Sequence, residues 1–382
     1  MANTITNVLP KMLAQGLMAL RQNTVMTRLV NTSYSDLAAA KGNVINVPIP
    51  SAIATRDVTP AVTMAANVDS SPTVALVTLD FWKEAPFQLS DADLLSVDAG
   101  TIPMQASEAI KSLANAVDSY IIGKHVGFFG KVGTQGTTPF GGSMNMASAA
   151  RKVLSKQLTP LDNRRAVIDP DAEDNLLLNS NILQAEQAGS AAAITDGAIS
   201  RKLGFDWFMD QNITSYTPGS AWSNSASWTF DGSNAIGVTT ADVVYTASGT
   251  VKLGDIFALT AGGLQHVVTA SITVVTAVTI GLSFYPGLRT AVATAATLVV
   301  GGTTAYVANL AFHRDAFAWA SRPLQGSGID GLGHTFATAV DPVSGIALRL
   351  EVSRQYKQTT YSFDILGGAN VVRREYGAKI AG

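Results

Sequence analysis

The stretch Gln265-His-Val-Val-Thr-Ala-Ser-Ile-Thr-Val-Val-Thr-Ala-Val-Thr279 decides how this chain folds. It lies within one hundred residues, Gln211 to Leu310, that carry only five charged side chains: Asp231, Asp242, Lys252, Asp255 and Arg289. A membrane span, a disordered linker and a compact β-module are all compatible with so little charge. A spanning helix needs about 20 predominantly apolar residues, and here Gly262, Gly263, Gln265, His266, Thr269, Ser271, Thr273, Thr276 and Thr279 break the run. Ile272, Val274, Thr276 and Val278 instead share one face of an extended chain, which is strand periodicity. Disordered segments are poor in apolar residues and rich in charge, the reverse of this composition. Valine, isoleucine and threonine punctuated by Gly262-Gly263 and Gly301-Gly302 predict several short antiparallel strands, as a small β-barrel or sandwich.

The rest of the composition points to association. The 382 residues are 47% hydrophobic but only 14% charged, against about 25% in an ordinary soluble protein. A monomer normally covers its surface with more charge, so burial of that surface against other copies is favoured. The net charge of −2 leaves no electrostatic footprint of a nucleic-acid binder. The absence of cysteine removes disulfides, thiolate zinc sites and cysteine nucleophiles. Met1-Ala-Asn-Thr4 opens neither a basic nor an apolar leader region, so a product made and kept in a cytoplasm is expected.

Either side of the charge-poor stretch, periodicity changes. Ile5, Val8, Leu9, Met12, Leu13, Leu17 and Leu20 form a helical stripe, with Pro10 tolerable only in the first turn. Such a stripe needs a partner, either this chain's own core or a neighbouring subunit. Ile45, Val47 and Ile49 alternate with Asn46 and Pro48, an edge-strand pattern because proline cannot donate to a ladder. Thr73–Phe81 is the returning strand, with Val77, Leu79 and Phe81 inward, and the pair predicts a long hairpin with a soft tip over 51–72. Ser90 suits the N-cap of a short helix from Asp91. A long helix starts near Thr101, buries Ile110, Leu113, Val117, Tyr120 and Ile121, and stops at Gly127 and Gly130. Met146, Ala150, Val153, Leu154 and Leu158 predict another helix, Ala166-Val-Ile168 a buried strand, and Asp169-Pro170 the entry to a helix through Leu178. Late in the chain, Ile346–Val352 and Tyr361–Ile365 alternate as strands, Gly367-Gly368 breaks the second pattern, and Arg373, Arg374 and Lys379 make a basic end.

No catalytic constellation emerges. The four histidines, 125, 266, 313 and 334, are not at metal-ligand spacing from one another. His313-Arg-Asp315 resembles a kinase tripeptide but lacks its following asparagine and any Asp-Phe-Gly. Gly326-Ser-Gly-Ile-Asp-Gly331 matches a dinucleotide fingerprint without the strand before it or the helix after it, which reads as a loop. Asp169, Asp171, Glu173 and Asp174 lack the spacing of a calcium loop and suit the first turn of a helix. Arg164-Arg165 and Arg373-Arg374 are too isolated for a nucleic-acid patch. The reading is a structural protein, not an enzyme, with no cofactor and no metal.

Several segments resemble the tailed-bacteriophage major capsid protein with the Hong Kong 97 fold, in the short-tailed-phage coat-protein type that carries an inserted β-domain. They are Thr6-Asn-Val-Leu-Pro-Lys-Met-Leu-Ala-Gln-Gly-Leu17, Lys41-Gly-Asn-Val-Ile-Asn-Val-Pro-Ile-Pro50 and Asn309-Leu-Ala-Phe-His-Arg-Asp-Ala-Phe317, and in capsid proteins more broadly Thr360-Tyr-Ser-Phe-Asp-Ile-Leu-Gly-Gly368. The resemblance implies an α+β fold with an N-terminal arm (1–42), an extended loop hairpin (43–89) and a peripheral domain with the spine helix (90–135 and 335–366). It also implies an axial domain (136–212, 310–334 and 367–382) and an inserted antiparallel β-barrel-like domain (213–309). The implied function is a virion shell of pentamers and hexamers, assembled in the host cytoplasm around double-stranded DNA held by confinement. A scaffolding protein and a portal are the implied further partners, and no membrane. Candidate interface residues are Met12, Leu13, Leu17, Leu20 and Arg21 on the arm and Val47, Ile49, Arg56 and Asp57 on the hairpin. A nanocompartment of the same fold enclosing a protein cargo is the alternative.

Overall fold

The computed structural model describes the chain apart from residues 1–12, 15, 21–23, 35–42, 51–52, 54, 56, 59, 61–71, 93–100, 185–188, 190–194, 198, 200, 224–226, 261 and 325–333, and the side chains of 101–103 and 334. Described residues fall into two compact units. The first comprises 1–21, 32–113 and 317–372, the second 22–31, 114–316 and 373–382. The long helix Thr101–Gly123 contains one boundary between them, and a 3-10 turn, Lys124–Gly127, ends it before the expected glycine stop. Among the described residues no helix is long and apolar enough to cross a membrane.

The first unit is organised by one fourteen-residue strand, Gln358–Val371. Along one edge it pairs with Ala347–Gln355, which in turn pairs with His334–Val340. Along the other edge lies Phe81–Ser90, while Phe317–Ser321 faces the last part of the strand from the same edge as Ala347–Gln355; Gly367 pairs with Phe81 on one side and Ser321 on the other. The sequence expectation that Gly367-Gly368 ends this strand is therefore wrong. A Cβ at Gly367 would strike the Trp319 ring, and one at Gly368 would collide with the Thr78 carbonyl. The glycines permit close approach inside a continuous strand, the other use of glycine in a sheet. A buried ion pair ties the sheet's strands: Arg349 Nε and Nη2 donate to Asp364 Oδ1 and Oδ2 at 2.9 and 2.6 Å, and Trp82 Nε1 donates to Asp364 Oδ2 at 3.0 Å. The expected return strand Thr73–Phe81 is divided at Leu79-Asp80 into Thr73–Thr78, which pairs with Val44–Ile49, and the start of Phe81–Ser90. Ser90 ends a strand paired with Gln358 and directly precedes helical residues at 91 and 92, the position expected of a helix cap.

The second unit holds two β-systems. One sheet has the strand order Gly130–Val132, Gly377–Ala381, Tyr306–His313, Arg164–Ile168 and Asp206–Met209. Helices Asn145–Lys156 and Pro170–Leu177 supply Ala147, Ala150, Leu154, Ala172 and Leu176 to the core beneath it, with Phe140, Phe205 and Trp207. Leu158 was expected in that stripe, but the helix ends two residues earlier and Leu158 has φ +60° and is exposed. Asp171 and Glu173 occupy the first turn of the second helix, while Asp169, at the cap position, makes no capping bond with its side chain.

The charge-poor stretch supplies the other system. Six antiparallel strands run in the order Val299–Val300, Ile256–Ala258, Gln265–Val268, Thr279–Tyr285, Thr240–Tyr245 and Trp228–Phe230, with Gly249–Val251 paired to Ile272–Val274 beside them. Backbone bonds from Phe230 to Ala296 (3.0 Å), from Ala295 to Phe230 (2.9 Å) and from Leu298 to Trp228 (3.2 Å) then carry the ladder from the last strand back to the segment entering the first. Trp222, Trp228, Phe230, Tyr245, Phe257, Leu282 and Phe284 fill the interior. Trp228 stacks on Tyr245 at 4.6 Å and meets Trp222 edge-on at 5.1 Å. The alternation in Ile272–Val278 is realised only over Ile272–Val274; Thr276 and Val278 face solvent beyond a turn.

Candidate assembly surfaces

The hairpin Val44–Ile49/Thr73–Thr78 has two unlike faces, as period-two alternation dictates. Ile45, Val47, Val77 and Leu79 pack on Ala318 and Ala320, with Tyr34 and Ala75 at the margin. On the opposite face Val44, Val74 and Leu76 stand about half exposed, on the side that also carries Asn46 and Pro48 by register. Among the described residues Val44–Ile49 pairs only with Thr73–Thr78, so its outer edge is unpaired. An apolar face beside an open strand edge is the kind of surface that proteins normally cover. Asn370 Nδ2 donates to the Leu76 carbonyl at 2.7 Å, anchoring the hairpin to the long strand.

The interface candidates divide sharply. Leu13, in a helical segment over 13–14, is buried, and in the helical segment over 16–20 Leu20 is buried and Leu17 half-buried. The tight fit is visible at Gly16, where a Cβ would lie 2.8 Å from Ile110 and near Leu348 and Phe363. Of the stripe's described members, Leu13 and Leu20 are taken up by this chain's own core, which corrects their use as free docking residues. Val47 is likewise buried and Ile49 half-buried, whereas Asp57 is exposed. Met12, Arg21 and Arg56 lie outside the described residues, as does the Gly326–Gly331 loop.

In the second unit, Phe208 and Met209 are partly exposed on the edge strand Asp206–Met209, and Leu178 and Leu183 are exposed on the helical segments nearby in sequence. Its buried charges are structural. Asp255, one of the five charged residues of the charge-poor stretch, accepts from Gly219 N, Lys252 N and the Tyr216 hydroxyl at 2.7–3.2 Å. Burial pushes its carboxyl up despite those donors. Lys379 donates to the Gly254 carbonyl at 2.9 Å and lies 5.5 Å from the Tyr216 ring centroid. Complete burial, reinforced by Lys131, pulls the Lys379 ammonium down to about 7. Lys379 was expected in a basic tail; it instead sits in the central part of the Gly377–Ala381 strand, every residue of which is buried. Asp118 accepts from Val25 N and Met26 N at 2.8 and 3.1 Å, and burial raises it to about 7. The sequence signals for Asp255 and Lys379 were slight: a lone charge among apolar strands and a lysine inside Ala378-Lys-Ile-Ala381. Among the described residues no group of three or more histidine or acidic residues is placed to hold a metal.

No family model matches the chain, and no curated protein matches it. Solved structures do. A structure from Mycobacterium phage Che8 superposes with a TM-score of 0.53 at 16% identity, covering 94% of this chain and 90% of that one. The capsid of cyanophage P-SCSP1u gives 0.49 at 12% identity, covering 94% and 88%. A virus-like particle from Pyrococcus furiosus gives 0.44 at 10% identity, covering 98% and 99%. The chain shares the fold of the Che8 phage structure over nearly its whole length.

Proposed function

We propose that this chain is the major capsid protein of a tailed phage and builds an icosahedral shell of pentamers and hexamers around double-stranded DNA. The full-length fold likeness is the observation that carries the reading. Self-association at several weak contacts per subunit supplies the mechanism, because many simultaneous contacts raise avidity steeply. The open face of the hairpin, with Val44, Val74 and Leu76, is the surface best suited to lie on a second copy. Residues 101–123 act as the spine, and 213–309 are an inserted β-barrel-like domain whose core closes without help from neighbours. The wall confines DNA without gripping it, since phosphate binding needs concentrated lysine and arginine and the chain is nearly neutral. A scaffolding protein and a portal join during assembly in the host cytoplasm.

Negative-stain microscopy of the expressed chain, with assay of its nucleic-acid content, tests this reading. Closed shells are expected, filled with DNA when a packaging system is present. Shells that retain a protein cargo and no genome would favour the nanocompartment, and a stable monomer would refute both.

A further inference from the structure

Beside the Asn145–Lys156 helix lies a cleft of about 510 Å³, whose other wall is the turn through Gly262 and Gly263 with Arg289. Its size falls within the range of small-molecule sites, roughly 300–1,000 Å³. Four cations line it, Lys131, Lys152, Lys156 and Arg289, and no carboxylate does. That segregation is unusual in a chain with more acidic than basic residues. Lys152 and Lys156 are one helical turn apart, where like charges repel mildly. Among the described residues none of the four has an acidic partner within salt-bridge distance. Phe129 and Val153 give the cleft an apolar floor.

The walls are fixed in place. Gln265 accepts from Lys131 N at 2.6 Å and donates to Lys131 O at 2.9 Å, a reciprocal clamp joining two strands at the base. A Cβ on Gly130 would lie 2.8 Å from both Val153 and Gln157, so the helix end rests directly on the Gly130–Val132 strand. A rigid site loses less on binding than one that must be ordered. Lys131, half-buried, is 5.1 Å from the Tyr306 ring centroid and is faced by Asp255 and Lys379; Lys152, Lys156 and Arg289 are exposed at the mouth.

We propose that this cleft is a binding site for a phosphate-class polyanion, a function separate from shell formation. Three ammonium groups and one guanidinium around a small volume suit a ligand that concentrates several negative charges, as a phosphate chain does and a single carboxylate does not. The same chemistry is offered by a free nucleotide or polyphosphate and by the backbone of a single nucleic-acid strand.

The test uses the full-length protein, with tripolyphosphate, ATP, a short oligothymidylate and an oligoglutamate peptide titrated by calorimetry at low salt. Lys152→Gln with Lys156→Gln removes two exposed cations, and Lys83→Gln with Lys357→Gln makes the same charge change elsewhere. Tripolyphosphate is expected to bind the parent and the control pair alike, and the cleft pair at least about tenfold more weakly, one charge-assisted contact being lost per lysine. ATP following the same pattern with oligothymidylate silent assigns the free anion as the source, and the converse assigns the strand. Absence of tripolyphosphate binding, equal weakening in both pairs, or tighter binding of oligoglutamate than of any phosphate overturns the proposal. Shell formation by each pair, scored by microscopy, tells failure of this site from failure of the capsid reading.

Discussion

The hairpin of the first unit and the charge-poor β-system of the second start from similar material and finish differently. Both are built from short runs of valine, isoleucine and threonine with few charges. The β-system returns its backbone bonds to their start and fills its interior with Trp222, Trp228, Phe257 and Phe284. The hairpin buries one face only, leaving Val44, Val74 and Leu76 open and an edge unpaired among the described residues. Low charge alone therefore says little about which β-region is complete in itself. Closure of the ladder decides it: one region satisfies itself and stabilises the fold, and the other keeps an apolar face open.

Substitutions sharpen that contrast. The largest loss of stability is expected from Trp228→Ala, which empties a fully buried site between Tyr245 and Trp222 and removes the bond from Nε1 to the Ala221 carbonyl. Large-to-small changes of this kind cost about 3–5 kcal/mol. Urea denaturation measures it, and a loss below about 1 kcal/mol would mean the interior is not the stability centre described. Asp255→Ala comes next, at roughly 2–4 kcal/mol, because it strands the Gly219 and Lys252 amides and the Tyr216 hydroxyl. A wild-type midpoint in that variant would remove Asp255 as the organiser of its surroundings.

A smaller effect is the pH dependence contributed by Lys379. Its folded value, about 7, lies below the ordinary lysine value of 10.5, so the unfolded chain binds more protons between the two. Its contribution is present above 10.5 and is lost as pH falls through about 7. Lys131, lowered by burial to about 8, acts in the same direction. Asp118 runs the other way over a lower window: raised from 3.8 to about 7, it contributes below 3.8 and has lost that contribution once pH has risen through 7. Stability is thus expected to rise from pH 7 to 10, and Lys379→Met to flatten the rise. An unchanged slope in denaturation midpoints across that range would show that Lys379 is already paired or hydrated.

Much of this architecture was legible in the sequence because it rests on period. The Ala347–Gln355 strand, the Asn145–Lys156 helix and the β character of the charge-poor stretch follow from alternation and from three- and four-residue spacing. What was not legible depends on partners distant in sequence. Gly367-Gly368 look like a stop until Trp319 and Thr78 are seen to need the space. Lys379 looks like a tail charge until its strand proves central, between Gly130–Val132 and Tyr306–His313. Leu13 and Leu20 look like a docking stripe until the packing around Gly16 is known. Aspartate at both Leu13 and Leu17 would unfold the chain rather than isolate an interface, because Leu13 is buried.

The smallest change in stability should accompany the largest change in assembly. Val74→Asp with Leu76→Asp alters two half-exposed side chains on the open face of the hairpin, where surface substitutions typically shift stability by no more than about 0.5 kcal/mol each. Electron microscopy of the parent and this variant, purified side by side, is the most direct measurement. Shells from the parent and only folded, unassembled subunits from the variant are the predicted result; shells from the variant as regular and abundant as the parent's would contradict the account.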